Sequence, residues 1–108
     1  MNDIIAISET LRDGWCIVNV KGRVDGLTAD VLEKALIAAA TANPQVAVDC
    51  SAVDYISSAG LRSLLEGARA AQGAKHRFVV CSPSPRAKQV FDISRMHLVL
   101  PIQEGLPC

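Results

Sequence analysis

Apolar and polar positions along the chain alternate between two rhythms, one of period two and one near 3.6. Ile4, Ile5 and Ile7 open a strand, Asp13-Gly14 is a tight-turn pair, and WCIVNV (15–20) follows as a second strand that Gly22 ends. Two strands joined by such a pair form an antiparallel hairpin. Val31, Leu32, Ala35 and Leu36 keep helical spacing, with Thr28 or Asp25 placed to cap that helix and Asn43-Pro44 placed to stop it. QVAVDC (45–50) is short, apolar and β-branched, the pattern of a strand covered on both faces.

The same rhythm repeats downstream. Leu61, Leu64, Leu65 and Ala68 follow i, i+3, i+4, i+7, predicting a helix over 59–72 with Gly73 as its stop. RFVVCS (77–82) reads as another buried strand. A third helix is expected after Ser82 or Ser84, with Pro85 in its first turn and Val90, Phe91 and Ile93 inward. HLVLPI (97–102) reads as a last short strand. Strand–helix–strand alternation implies right-handed crossovers and a mostly parallel sheet, which the opening hairpin makes mixed. The expected fold is therefore α/β, in one domain spanning 1–108, with neither internal repeat nor linker.

Composition fits one domain with its own core. The chain has 108 residues, half of them apolar, so neither disorder nor a disulfide framework is called for. MNDIIAI lacks the basic segment and long apolar stretch of a secretory signal, and the longest uncharged run, 35–48, is too short for a bilayer and contains Pro44. A cytoplasmic protein without a membrane partner is expected. Cys16, Cys50 and Cys81 lie in apolar runs with no C-x-x-C pair, so they read as small core residues. Cys108 is the last residue and cannot be a C-a-a-X acceptor.

Eleven basic residues balance eleven acidic ones, but unevenly: 1–59 hold four basic and eight acidic residues, 60–108 seven and three. Arg62, Arg69, Lys75, Arg77, Arg86, Lys88 and Arg95 are scattered and have few aromatics among them. That argues against direct nucleic-acid binding. No metal-ligand spacing, G-x-S-x-G, Walker A or G-x-G-x-x-G occurs, so neither a cofactor nor enzymatic activity is expected.

The segment with most to explain is VDYISSAGLRSLL (53–65), where Ser57 and Ser58 directly precede a helix. A serine at the N-cap accepts a hydrogen bond from a free first-turn N–H, worth about 1 kcal/mol. The same helix start, at the end of a strand, also tolerates a phosphate through its dipole and free N–H groups. Capping and modification both fit this junction.

VAVDCSAVDYISSAGLRSLL (46–65) closely resembles the signature of STAS domains, the family of bacterial anti-sigma factor antagonists. VKGRVDGLTADVLEKAL (20–36) is similar to the family's turn and first helix, and VVCSPSPRAKQVFDISRM (79–96) to its last strand and third helix. The resemblance implies a mixed sheet of four or five strands with helices mainly on one face. It further implies partner switching. The unphosphorylated antagonist binds an anti-sigma factor that is also a serine kinase of the histidine-kinase-like ATPase type. Phosphorylation ends that binding, and a PP2C-type phosphatase resets it. By the same resemblance Ser58 is the acceptor, with Ser57 a secondary candidate. Asp25, Thr28, Ser57, Ser58, Ala59, Gly60 and Arg62 form the partner surface. Ser57 stands where the family often has Asp, and Ala59 where it often has Ser or Thr. STAS domains also serve as small subunits of ABC-type lipid transporters and as components of stress-signalling scaffolds.

Overall fold

The computed structural model describes residues 5–107, so Ile4 of the first strand and the terminal Cys108 lie outside the described residues. The elements run β1 (Ile5–Arg12), β2 (Trp15–Val24), α1 (Ala29–Ala42), β3 (Gln45–Ile56), α2 (Ser58–Ala74), β4 (Arg77–Cys81), α3 (Pro85–Ser94), a 3-10 turn at Met96–Leu98 and β5 (Ile102–Gln103). They form one five-stranded sheet in the order β1-β2-β3-β4-β5, with β1 antiparallel to β2 and every other pair parallel. The hairpin closes through Asp13 and Gly14, both at positive φ. Such a turn matches the right-handed twist of its strands.

Alternation along the strands sorts the core into two clusters. Cys16, Val18, Val20, Val46, Val48, Cys50 and Val80 meet the helices, which contribute Leu32, Leu36, Leu61, Leu64, Ala71, Ala87 and Phe91. On the opposite face Trp15, Ile17, Ala47, Val79 and Cys81 form a smaller cluster, with Leu106 packed against it. Residues 45–50 are thus covered on both faces, and Cys16, Cys50 and Cys81 are buried. Burial pushes the Cys50 thiol up to about 12.

Several boundaries differ from the sequence expectation. β2 does not end at Gly22 but continues to Val24, with Gly22 at φ 104 and shifts in pairing register on either side of it. β3 continues six residues beyond Cys50, and α3 packs over that extension. Ser84 anchors the contact: its hydroxyl donates to the Val53 carbonyl at 2.7 Å and accepts from the Ala87 N–H at 3.1 Å, capping α3. Gly73 does not stop α2, which runs on to Ala74 and closes on Lys75 in the left-handed conformation. Val31 and Ile93 point outward, 53% and 84% exposed, while Phe91 is buried and Val90 half-buried. HLVLPI is a 3-10 turn followed by a two-residue strand. No helix among the described residues is long and apolar enough to cross a membrane.

Candidate functional site

The register of the sheet decides which loops meet. Val24 pairs with Ile56, so β2 and β3 end side by side. The residues that follow, Asp25 and Ser57, therefore emerge together, and the Ser57 N–H bonds the Val24 carbonyl at 2.9 Å. Asp25 opens the loop into α1, and Ser57 opens α2.

The two serines do different things. Ser57 is extended (φ −98, ψ 177) and occupies the N-cap of α2, where its hydroxyl accepts from the Gly60 N–H at 3.3 Å. Its carbonyl accepts the Leu61 N–H at 3.0 Å. Ser58 is the first residue of the helix, exposed, and its hydroxyl makes no hydrogen bond among the described residues. Gly60 is buried because the helix start sits directly on the sheet. A Cβ there would lie 2.7 Å from both Val24 Cγ1 and Ile56 Cγ1. Ala59, half-buried, keeps the neighbouring surface low.

Asp25 organises the adjoining loop. Its Oδ1 accepts from the Leu27 N–H at 2.9 Å and the Thr28 N–H at 3.2 Å, while Oδ2 takes Arg23 Nε at 3.4 Å. These bonds, the one from Leu27 foremost, hold its carboxyl below the ordinary 3.8, partly opposed by desolvation. Arg23 also stacks over the Tyr55 ring at 4.3 Å. Thr28 holds the N-cap position of α1 but makes no side-chain cap bond. Its hydroxyl is turned back into the loop, donating to the Arg23 carbonyl at 2.8 Å and accepting from the Asp25 N–H at 3.0 Å. Neither expected cap bonds a first-turn N–H of α1: the Asp25 carboxylate takes the N–H groups of Leu27 and Thr28 in the loop before the helix. One consequence is that Leu27 is presented at 91% exposure on a tied backbone.

Between α1 and α2 lies a groove of about 750 Å³ lined by Gly26, Asp30, Glu33, Ser58, Arg62 and Glu66, among others. Arg62 is its sole basic lining residue. Glu66 is engaged by Arg69 at 3.1 Å, and among the described residues Arg62 makes no ion pair. The floor is closed by Ser63, a polar residue that lies outside the apolar pattern of the helix. Ser63 is fully buried, and its hydroxyl lies 2.8 Å from the Ala29 carbonyl of α1 and 3.2 Å from the Ala59 carbonyl. Gly67, one turn on, lets Leu36 and Phe78 approach: a Cβ there would meet them at 2.9 and 3.0 Å. The signal was available as small residues at four-residue spacing, Ser63, Gly67 and Ala71. Among the described residues no cluster of His, Cys, Asp and Glu could hold a metal ion.

The family described as "Mlab, STAS domain" matches residues 7–101. The chain is a STAS domain. A curated relative from Bordetella bronchiseptica, provisionally named anti-sigma factor antagonist BtrV, is 34% identical over 91 residues, 83% of this STAS domain and 78% of the relative. The crystal structure of an anti-sigma factor antagonist from Mycobacterium paratuberculosis superposes with a TM-score of 0.81 at 29% identity, covering 98% of this chain and 91% of that one. SpoIIAA from Bacillus, solved in its phosphorylated form, gives a TM-score of 0.67 at 16% identity over 90% of each chain, a likeness of fold.

Proposed function

We propose that this STAS domain is an anti-sigma factor antagonist that works by partner switching in the cytoplasm. Unphosphorylated, it binds an anti-sigma factor that is also a serine kinase. Phosphorylation of Ser58 ends the complex, and a PP2C-type phosphatase restores the binding form. The observation that carries this reading is the division of roles at the helix start. The Ser57 hydroxyl is committed to the cap, while the Ser58 hydroxyl is free and exposed on the groove. The names of the relatives support it, as does the existence of a fold neighbour, SpoIIAA, in a phosphorylated form.

A phosphate adds about −1.5 to −2 charges at neutral pH. At the first residue of a helix the domain tolerates it through the N-terminal dipole and the free N–H groups. A partner packed over Ser58 would have to desolvate it or clash with it. The event is thus read at the interface and not by refolding. Incubation with the cognate kinase and ATP, followed by mass mapping, tests the assignment. Ser58→Ala should abolish incorporation and retain kinase binding, whereas Ser57→Ala should keep most of it. Loss confined to Ser57→Ala would overturn the reading.

The family description "Mlab, STAS domain" favours one second reading, a small subunit of an ABC-type lipid transporter. Stable association with a transporter ATPase, indifferent to Ser58→Asp, would select it.

A further inference from the structure

Arg62 stands out in the groove because it is a cation among carboxylates and yet is unpaired. Asp30, Glu33 and Glu66 share the groove lining with it, Glu66 is held by Arg69, and among the described residues no carboxylate lies within ion-pair distance of Arg62. The nearby Asp25 carboxylate is likewise occupied, by Leu27, Thr28 and Arg23. Any dianion added at Ser58 therefore enters a strongly acidic neighbourhood in which one guanidinium remains uncommitted.

Helix geometry determines where that guanidinium reaches. Ser58 and Arg62 are separated by four positions within α2 and line the same groove. Residues at i and i+4 stand about 5–6 Å apart at Cβ. Side chains on a helix lean toward its N-terminus, so a long residue covers the turn preceding it. An arginine at position 62 can therefore reach back over the first turn, which carries Ser58. A guanidinium offers a planar fork of donors that matches two phosphate oxygens at once.

We propose that Arg62 is the intramolecular counter-ion of a phosphate on Ser58: free in the unmodified protein, it closes onto the phosphate once the phosphate is there. This deepens the proposed function and rests on its assignment of Ser58. Phosphorylation then changes the surface twice. It places a dianion at the helix start, and it withdraws the groove's one free cation from whatever acidic group a partner had offered it.

The test uses the full chain with phosphoserine encoded directly at position 58, so that no kinase is needed and the result does not depend on how the phosphate arrives in the cell. Phosphorus NMR titration reads the second ionisation of the phosphate, ordinarily near pKa 6. A nearby cation favours the dianion, so Arg62→Gln should raise that pKa by about half a unit, equivalent to about 0.7 kcal/mol. Arg62→Lys, which keeps the charge, should restore most of the difference. Lys75→Gln, at the far end of the same helix, should leave it unchanged. Equal pKa values in the parent and Arg62→Gln, or an equal rise in Lys75→Gln, would overturn the proposal. If the pKa behaves as expected but the kinase modifies Ser57, the assignment of Ser58 fails on its own while the pairing stands.

Discussion

Replacing Gly60 by alanine should destabilise the domain, although alanine is the better helix former. The added Cβ would sit 2.7 Å from Val24 Cγ1, 2.7 Å from Ile56 Cγ1 and 3.2 Å from Val24 Cβ. Both neighbours are buried and β-branched, so their χ1 angles cannot swing away freely. Overpacking of this kind costs about 1–3 kcal/mol. Against it stands the propensity gain of at most about 1 kcal/mol, reduced because Gly60 lies in the first turn. The net expectation is a loss of about 1–2 kcal/mol, or roughly 4–10 °C in Tm for a domain of this size. Gly73→Ala supplies the internal comparison: it is the same change in the same helix, with no atom within 4 Å of the new Cβ. That variant should gain about 0.5–1 kcal/mol. Urea denaturation with a common slope measures both. Were Gly60→Ala neutral or stabilising, the close seating of the α2 start on β2 and β3 would be wrong, and with it the fixed placement of Ser57 and Ser58.

The remaining expectations concern single hydrogen bonds. Ser57→Ala should lower stability by about 1 kcal/mol through loss of the cap, while Ser58→Ala stays within about 0.5 kcal/mol, both read by thermal unfolding. Ser84→Ala leaves the Val53 carbonyl and the Ala87 N–H without their partner, for an expected loss of about 2 kcal/mol in urea unfolding. Asp25 titrates below its ordinary value when folded, so its contribution to stability is present above pH 4 and fades as pH falls through the lower folded pKa. Asp25→Asn should flatten that acid limb, and carboxyl NMR titration should find the Asp25 pKa below 3.8.

The order of elements was legible in the sequence because the inward positions of Cys16 to Val20, Gln45 to Cys50 and Leu61 to Ala68 keep clean periods. What followed Cys50 was not. Asn19 pairs with Asp49 but Lys21 with Ala52, and Gly22 pairs with Val53 but Arg23 with Tyr55. β3 thus carries an extra residue at two places, and its inward positions run Cys50, Val53, Ile56. A spacing of three breaks the period of two that marks a strand, so the strand pattern ends where the first bulge begins. The Ser51 N–H bonds the Asp49 carboxylate at 2.9 Å at that point. Gly73 misled for another reason: helix termination depends on left-handed backbone, and Lys75 adopts it here. At the site, Ser57 and Ser58 were placed correctly at the helix start, but only geometry separates the hydroxyl that caps from the one that faces solvent. The role of Ser63 is not legible locally, because its partner, the Ala29 carbonyl of α1, is 34 residues away in sequence.

That Ser63 bond has a kinetic consequence. It joins the helix bearing Ser58 to the start of the helix whose loop carries Asp25 and Thr28, so both halves of the proposed docking surface move as one body. Little conformational freedom remains to be lost when a partner arrives, and association needs no rearrangement first. Encounter rates should therefore be governed by diffusion and by the acidic rim of the groove, and hence depend on salt. Affinity would be adjusted mainly through how long the complex lasts. A modification at Ser58 acts on that lifetime, because it alters the contact without altering the body that presents it.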